Sequence, residues 1–212
     1  MKTVIINASP RKTWNTAQLL KEAQRGAEAA GAETEYIDLY DLAFSGCRSC
    51  LSCKRKGARR CRCYFKDDLS PVIDRILAAD AVIFGTPIYM GEPSAGFRAL
   101  FERLGFCILS YDEGERSYFD GKINTGFIYT MNAPDGYYET NLRPKLEGTE
   151  EFFRSFLKGK VLTMAACGTL QTDDYSRYSM GMFNEAQRKE SRKTRFPADL
   201  EKAFDMGYAL SR

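Results

Sequence analysis

Histidine is absent from all 212 residues. That absence excludes Ser-His-Asp and Cys-His nucleophile systems, histidine zinc sites and any imidazole acid–base step. No apolar run approaches the ~20 residues that a membrane-crossing helix needs, and no cleavage pattern follows the opening Met1–Asn7. The sequence therefore predicts a soluble, cytoplasmic protein with no membrane partner. A net charge of +3 is too mild for a nucleic-acid partner. Chemistry here must rest on thiols, hydroxyls, carboxylates or a borrowed cofactor.

With 44% hydrophobic and 28% charged residues the composition is that of a globular protein, and the length suits one α/β domain over residues 1–212. Val4-Ile5-Ile6, Tyr36–Leu39, Ala81–Phe84, Gly126–Tyr129 and Val161–Ala166 read as strands. Helical spacing links Leu19, Leu20, Ala23 and Ala27 and stops at Gly31, and Asp67 or Asp68 can cap a helix carrying Leu69 to Leu77. Further helices carry Phe97 to Ile108, Phe152 to Leu157 and Pro197 to Leu210. The alternation predicts a three-layer α/β sandwich, with a five-stranded parallel sheet in the order 2-1-3-4-5 and helices on both faces. Ligands of such sheets lie beyond the carboxyl ends of the strands.

Two loops at that edge stand out. The segment after the first strand, Ala8 to Thr16, has no glycine and matches neither the dinucleotide fingerprint nor the P-loop. It offers the hydroxyls of Ser9, Thr13 and Thr16, the amide of Asn15 and the guanidinium of Arg11 near a helix N-terminus, a cup suited to a terminal phosphate. The same residues also allow plain capping by Asn15 or Thr16, with Arg11 solvated. After the third strand, Thr86-Pro87-Ile88-Tyr89-Met90-Gly91 is apolar and aromatic, so a flat ring or a subunit interface must cover it.

Ser9-Pro10-Arg11 with Asn15-Thr16, Thr86–Gly91 with Ser94-Ala95, and Phe101-Glu102-Arg103 together resemble the NAD(P)H-dependent FMN reductases of the flavodoxin-like fold. Gly46-Cys47-x-x-Cys50-x-x-Cys53, then Cys61 and Asp67-Asp68, is similar to the iron–sulfur flavoprotein branch. The likeness spans about residues 2 to 105. It implies FMN, with its phosphate on Ser9, Arg11, Thr13, Asn15 and Thr16. It places the ring against Thr86, Pro87, Ile88, Tyr89 and Met90 and the loop carrying Thr130 and Asn132. It also implies NAD(P)H as electron donor and a homodimer or homotetramer. Trp14 stands where relatives carry a small residue, and Asn132-Ala133-Pro134-Asp135 lacks their glycines.

Five cysteines fall between positions 47 and 63, in a loop insertion at about 44–66. In a reduced compartment such crowding points to metal or redox work. Cys47, Cys50, Cys53 and Cys61 are spaced to surround a 4Fe–4S cluster, the group the resemblance implies; the same thiolates could hold zinc or remain free. Cys63 lies too near Cys61 for both to bind one metal and is expected to be free. Cys107 and Cys167 read as small buried hydrophobes. The basic run Lys54 to Arg60 is read first as a solvated loop and second as an attraction for an acidic redox-protein partner or a cofactor phosphate. No side chain stands out as a proton donor, so no catalytic residue is assigned. The expected function is FMN-dependent NAD(P)H oxidation with transfer to an acceptor. The competing readings are a flavodoxin-like carrier that does not itself oxidise nicotinamide and a zinc-stapled binding module.

Overall fold

The computed structural model describes residues 1–212. Along the chain, β1 (Lys2–Asn7) leads through α1 (Asn15–Ala29) to β2 (Glu33–Asp38), and the cysteine-rich segment follows. Next come α2 (Leu69–Leu77), β3 (Ala81–Tyr89), β4 (Glu92–Pro93), α3 (Ala95–Ile108) and β5 (Ile123–Thr130). The chain closes with α4 (Asp135–Tyr137), a π turn (Tyr138–Leu142), α5 (Arg143–Leu157), β6 (Lys158–Ala166), α6 (Glu185–Thr194) and α7 (Phe196–Leu210).

The sheet runs β2-β1-β3-β5-β6, and every pairing along it is parallel. Counting only parallel strands, this is the predicted 2-1-3-4-5 order. Two features depart from expectation. β3 continues through Pro87 to Tyr89 and turns at Met90-Gly91 into the two-residue antiparallel β4, a sixth strand. Segment 86–89 is therefore strand rather than loop. Met90 and Gly91 both have positive φ, 51° and 84°, the turn geometry that matches the twist of a tight hairpin. The polar helix α6 is the other addition; with no buried residue it has no apolar stripe to announce it.

Alternation along the strands divides the core between the two faces of the sheet. Val4, Ile6, Phe84, Phe127 and Tyr129 face α2, α3 and α5, whereas Ile5, Ile83 and Ile128 face α1 and α7. On the first face, Phe84, Phe127 and Phe153 meet at centroid separations of 5.2 to 5.7 Å. On the other, α1 and α7 cross so closely that a Cβ at Gly207 would collide with the Ala23 carbonyl, and one at Gly26 with the Phe204 carbonyl. No helix is long and apolar enough to cross a membrane.

That crossing tolerates no side chain. Gly207→Ala is expected to cost about 3 kcal/mol and lower Tm by roughly 6–12 °C in a thermal melt, because backbone must move to admit the methyl. A melt within 1–2 °C of the wild type would show that the helices can separate freely.

Candidate functional site: a cleft at the carboxyl edge and a thiol loop beside it

Parallel register brings Asn7, Gly85, Thr130 and Ala166 to one end of the sheet, so the loops that follow them converge. The turn after β1 is held from several sides. Asn7 Nδ2 donates to Asp38 at 2.6 Å, its Oδ1 accepts from Ser9 N, and Ser9 Oγ accepts from Arg11 N. Ser94 Oγ donates to the Ala8 carbonyl at 2.6 Å. At the start of α1 the cap residue is Trp14, and its side chain makes no capping bond. Asn15 and Thr16 are thus not the caps that one reading of the sequence allowed. Thr16 Oγ1 shares a 2.7 Å hydrogen bond with Thr130 Oγ1, and Asn15 Nδ2 donates to the Leu170 carbonyl at 2.8 Å.

A cleft of about 350 Å³ opens there, and of the sequence-predicted residues it is lined by Ser9, Arg11, Asn15, Thr16, Pro87, Ile88, Tyr89, Met90, Thr130 and Asn132. Two predicted residues fall outside it. Thr13 is exposed on the outer side of the turn, where only its carbonyl is used, by Gln18 Nε2. Thr86 is fully buried, its Oγ1 donating to the Pro87 carbonyl and accepting from Ser94 N. Strand alternation turns that hydroxyl away from the edge.

The residues that sequence reasoning missed come from far along the chain. The segment after β6 straps over the cup: the Leu170 carbonyl accepts from Trp14 Nε1 and Asn15, and the Gln171 carbonyl from Arg11 at 2.5 Å. Arg11 also stacks on Trp14, 4.1 Å from the ring centroid. From α6, Arg192 bonds Asn15 and Gln18, and Arg188 donates to the Asn132 carbonyl. Tyr137 at the end of α4 and Leu142 at the end of the π turn line the cleft as well, and such turns often mark functional sites. Only the basic spacing of Arg188 and Arg192, one helical turn apart, could have signalled any of this. Asn132 Oδ1 is buried and has no partner, an acceptor available to a donor on a bound group. A larger cavity of about 670 Å³ lies elsewhere, between α5 and the outer edge of β6. Its arginines, Arg143 and Arg154, are already paired with Glu139, Glu147 and Glu151, which makes it a charged groove with its cations spent.

Beside the cleft, the cysteine loop folds against α3. All seven cysteines are free thiols. Cys47, Cys50, Cys53 and Cys63 line one small cavity with Cys107 at its base, and Arg103 closes it. Cys61, the expected fourth ligand, lies outside this lining with φ at 55°, and its charged neighbours are Asp120 and Lys54. Cys63 lines the cavity instead. Alternate residues of an extended segment point to opposite sides, but the count from Cys53 does not say which of two thiols two residues apart the loop will turn inward. As they stand, no three His, Cys, Asp or Glu side chains converge tightly enough for a single ion. Four thiols around one space, backed by a guanidinium, still form the donor set of a cluster or a four-thiolate site.

Lys54 changes the reading of the basic run. Its ammonium donates to the Phe106 and Leu109 carbonyls at the end of α3 and lies over the rings of Phe106, Tyr111 and Tyr118, and burial lowers its pKa. A cation at the helix C-terminus satisfies carbonyls that have no partner within the helix. Arg55, Lys56 and Arg59 remain exposed, as a solvated loop requires.

Comparison with known proteins places these features. The family described as NADPH-dependent FMN reductase matches residues 1–137. An iron-sulfur flavoprotein of Methanocaldococcus jannaschii is 36% identical over 103 residues, 49% of this chain and 51% of that protein. One of Methanosarcina thermophila is 31% identical over 103 residues, 49% of this chain and 52% of its own. The matched part thus spans about half the length of these curated relatives. Among solved structures, an NAD(P)H:quinone oxidoreductase from Methanothermobacter marburgensis superposes with a TM-score of 0.67 at 18% identity, covering 100% of this chain and 98% of that one. An FMN-dependent NADH-azoreductase from Bacillus anthracis, solved with FMN, gives 0.68 at 13% identity over 100% of both chains. At such identities the likeness is one of fold.

The thiols differ in reactivity. Cys50 is exposed and hydrogen bonding from Ser52 holds its pKa down, whereas burial pushes Cys107 up strongly and Cys167 up to about 12. In metal-free protein near neutral pH, iodoacetamide followed by peptide mapping should label Cys50 first and Cys107 and Cys167 last. Equal labelling of Cys107 would mean that the loop does not close over α3.

Proposed function

Because the chain belongs to the NADPH-dependent FMN reductase family, which its residues 1–137 match, we propose that it is an FMN-dependent oxidoreductase taking electrons from NAD(P)H. The observation that carries this reading is the cleft, which sets a hydroxyl- and guanidinium-lined cup against an apolar strand end at the carboxyl edge of a parallel sheet. Ser9, Arg11, Asn15 and Thr16, with the uncapped start of α1, would take the phosphate. Pro87 to Met90 would lie against the ring, and Thr130 to Asn132 would border it, with the unpartnered Asn132 Oδ1 accepting from it. Bound FMN supplies hydride acceptance and electron release. The protein's part is to bind and orient: with no histidine, hydrogen bonds and apolar cover do the positioning.

The chain's thiols add a second redox element to this reading: Cys47, Cys50, Cys53 and Cys61 would hold a 4Fe–4S cluster, in line with the names of the curated relatives, with Cys63 facing the same small cavity as the first three. The half-exposed Tyr89 and fully exposed Met90 at the hairpin tip support cover by a second copy of the chain, in a homodimer or homotetramer. The exposed Arg55, Lys56 and Arg59 suit an acidic redox partner.

The test is an absorption spectrum of anaerobically purified protein, with iron, sulfide and zinc analysis and NADPH and NADH oxidation assays. A colourless protein that takes up no FMN would overturn the reading. Arg11→Ala is expected to weaken FMN binding by about 1.5–3 kcal/mol, roughly 10- to 150-fold in Kd. Trp14, the sole tryptophan and a cleft residue, reports binding by its own fluorescence. An unchanged titration would return Arg11 to its partners in the strap.

The fourth ligand has its own check. Cys61→Ser should abolish iron and sulfide after anaerobic reconstitution, and Cys63→Ser should retain both. The reverse result would make Cys63 the fourth ligand, and zinc in place of iron would replace the cluster by a four-thiolate staple.

A further inference from the structure

The sheet ends at β6, whose outer edge pairs with no strand. Such an edge is an open template for another chain, and folded proteins blunt it with lysine, a bulge or a covering element. The first half of β6 is blunted in this way. Lys158 and Lys160 stand in it, and the register with β5 slips beside Gly159, where a Cβ would collide with the Ile123 carbonyl. The second half, Val161 to Ala166, carries neither charge nor proline, and Thr163 in its middle is exposed. The cavity of about 670 Å³ lies along this unprotected half, with Thr163, Met164 and Ala165 on one side and α5 on the other. Its charge is one-sided. Glu139, Glu147 and Glu151 share Arg143 and Arg154, and Asp135 is held by Arg195. Glu150 alone among the lining carboxylates has no ion pair, so the groove is acidic on a chain whose net charge is +3. A second unspent group adjoins it. Tyr129 is 0% exposed, its hydroxyl has no hydrogen-bond partner, and the ionisable side chains that act on it are Glu150 and Tyr138, both of the groove. A carboxylate without a cation beside a sealed hydroxyl without a partner is a place for a donor from outside.

We propose that this groove docks an extended basic segment of a partner protein, which adds to the sheet as a strand along Val161 to Ala166 and sets a lysine or arginine on Glu150. In strand addition the main-chain hydrogen bonds give affinity, and alternate side chains give specificity. Every second side chain of the added strand points to the α5 side, where the carboxylates stand, so the fitting segment is basic at alternate positions. The basic run of this chain does not qualify. Lys54 is spent on the end of α3, and Arg55 to Ala58 form a turn closed by Ala58 N on the Arg55 carbonyl. That favours a partner over a second copy. The groove adjoins the cleft through the π turn, which gives Tyr138 and Glu139 to the one and Leu142 to the other.

The experiment is fluorescence anisotropy on the full chain, with a short labelled peptide of alternating lysine and threonine as the probe. It requires neither flavin nor cluster. Saturable binding that weakens as salt rises is expected, because most of the carboxylates are exposed. A glutamate–threonine peptide should not bind. The lysine–threonine peptide with every backbone nitrogen methylated keeps its charge, loses its main-chain donors and should not bind either. Glu150→Gln should raise Kd about tenfold by removing a charge-assisted bond. Thr163→Lys blunts the edge as Lys160 does and should abolish binding. If a variant misfolds by circular dichroism, the comparison of the three peptides on the wild type decides. No saturable binding to the wild type, equal binding of the methylated peptide, or binding unchanged in either variant overturns strand addition. Self-association of the wild type in sedimentation that either variant removes would give the groove to a second copy and overturn the partner reading.

Discussion

The functional edge depends on one constraint: β1 lies between β2 and β3, so the chain leaves it in opposite directions on its two sides. At that switch the connections diverge and leave a crevice beyond the strand ends. The turn after β1 occupies it. Asn7 fixes the turn from below through Asp38 at the end of β2, and Ser94, at the start of α3, fixes it from the side. Ala8 N donates to the Gly85 carbonyl of β3 at 2.8 Å, so both strands flanking β1 contribute to the shape of the cup. A shift in either pairing would move the Ser9 and Arg11 positions relative to Thr130.

The thiol loop depends on α3 in a comparable way. Arg103 in its third turn and the carbonyls at its end, bound by Lys54, are two anchors along one rigid element. A buried ion pair such as Arg103–Asp67 recovers its desolvation cost only when every remaining donor is satisfied, and here each is. Burial acting alone would raise the Asp67 carboxyl; the hydrogen bonds and charge of Arg103 outweigh it and hold the group below its ordinary value. α3 also begins at Ser94, which caps it and bonds the Ala8 carbonyl. One helix therefore positions both the cup and the thiols, the two elements that electron transfer would have to connect.

The strap after β6 closes the cup with main-chain carbonyls. Leu170 and Gln171 engage Arg11, Trp14 and Asn15, and α6 lays Arg188 and Arg192 across the same residues. This part of the chain lies beyond the residues matched by the family. Trp14 belongs with it: its ring bonds the strap and stacks Arg11.

Much of this was legible in the sequence, because it is local. Apolar runs of three to six residues mark parallel strands buried on both faces, helical spacing marks the layers above and below, and the alternation of the two fixes the class of fold. The hydroxyl-rich turn, the apolar stretch at Pro87 to Met90 and the clustering of thiols are likewise properties of short segments. Tertiary structure decided the rest. Thr86 carries the same hydroxyl as Thr16, but only strand alternation and the demand of Ser94 N for an acceptor turn it inward. Spacing singles out Cys61, but nothing local says that Cys63 is the thiol turned toward Arg103, forty residues further on. The strap meets the cup across more than 150 residues. Contacts of such separation leave no period in the sequence, since they arise from where the sheet carries each loop rather than from the residues that the loops contain.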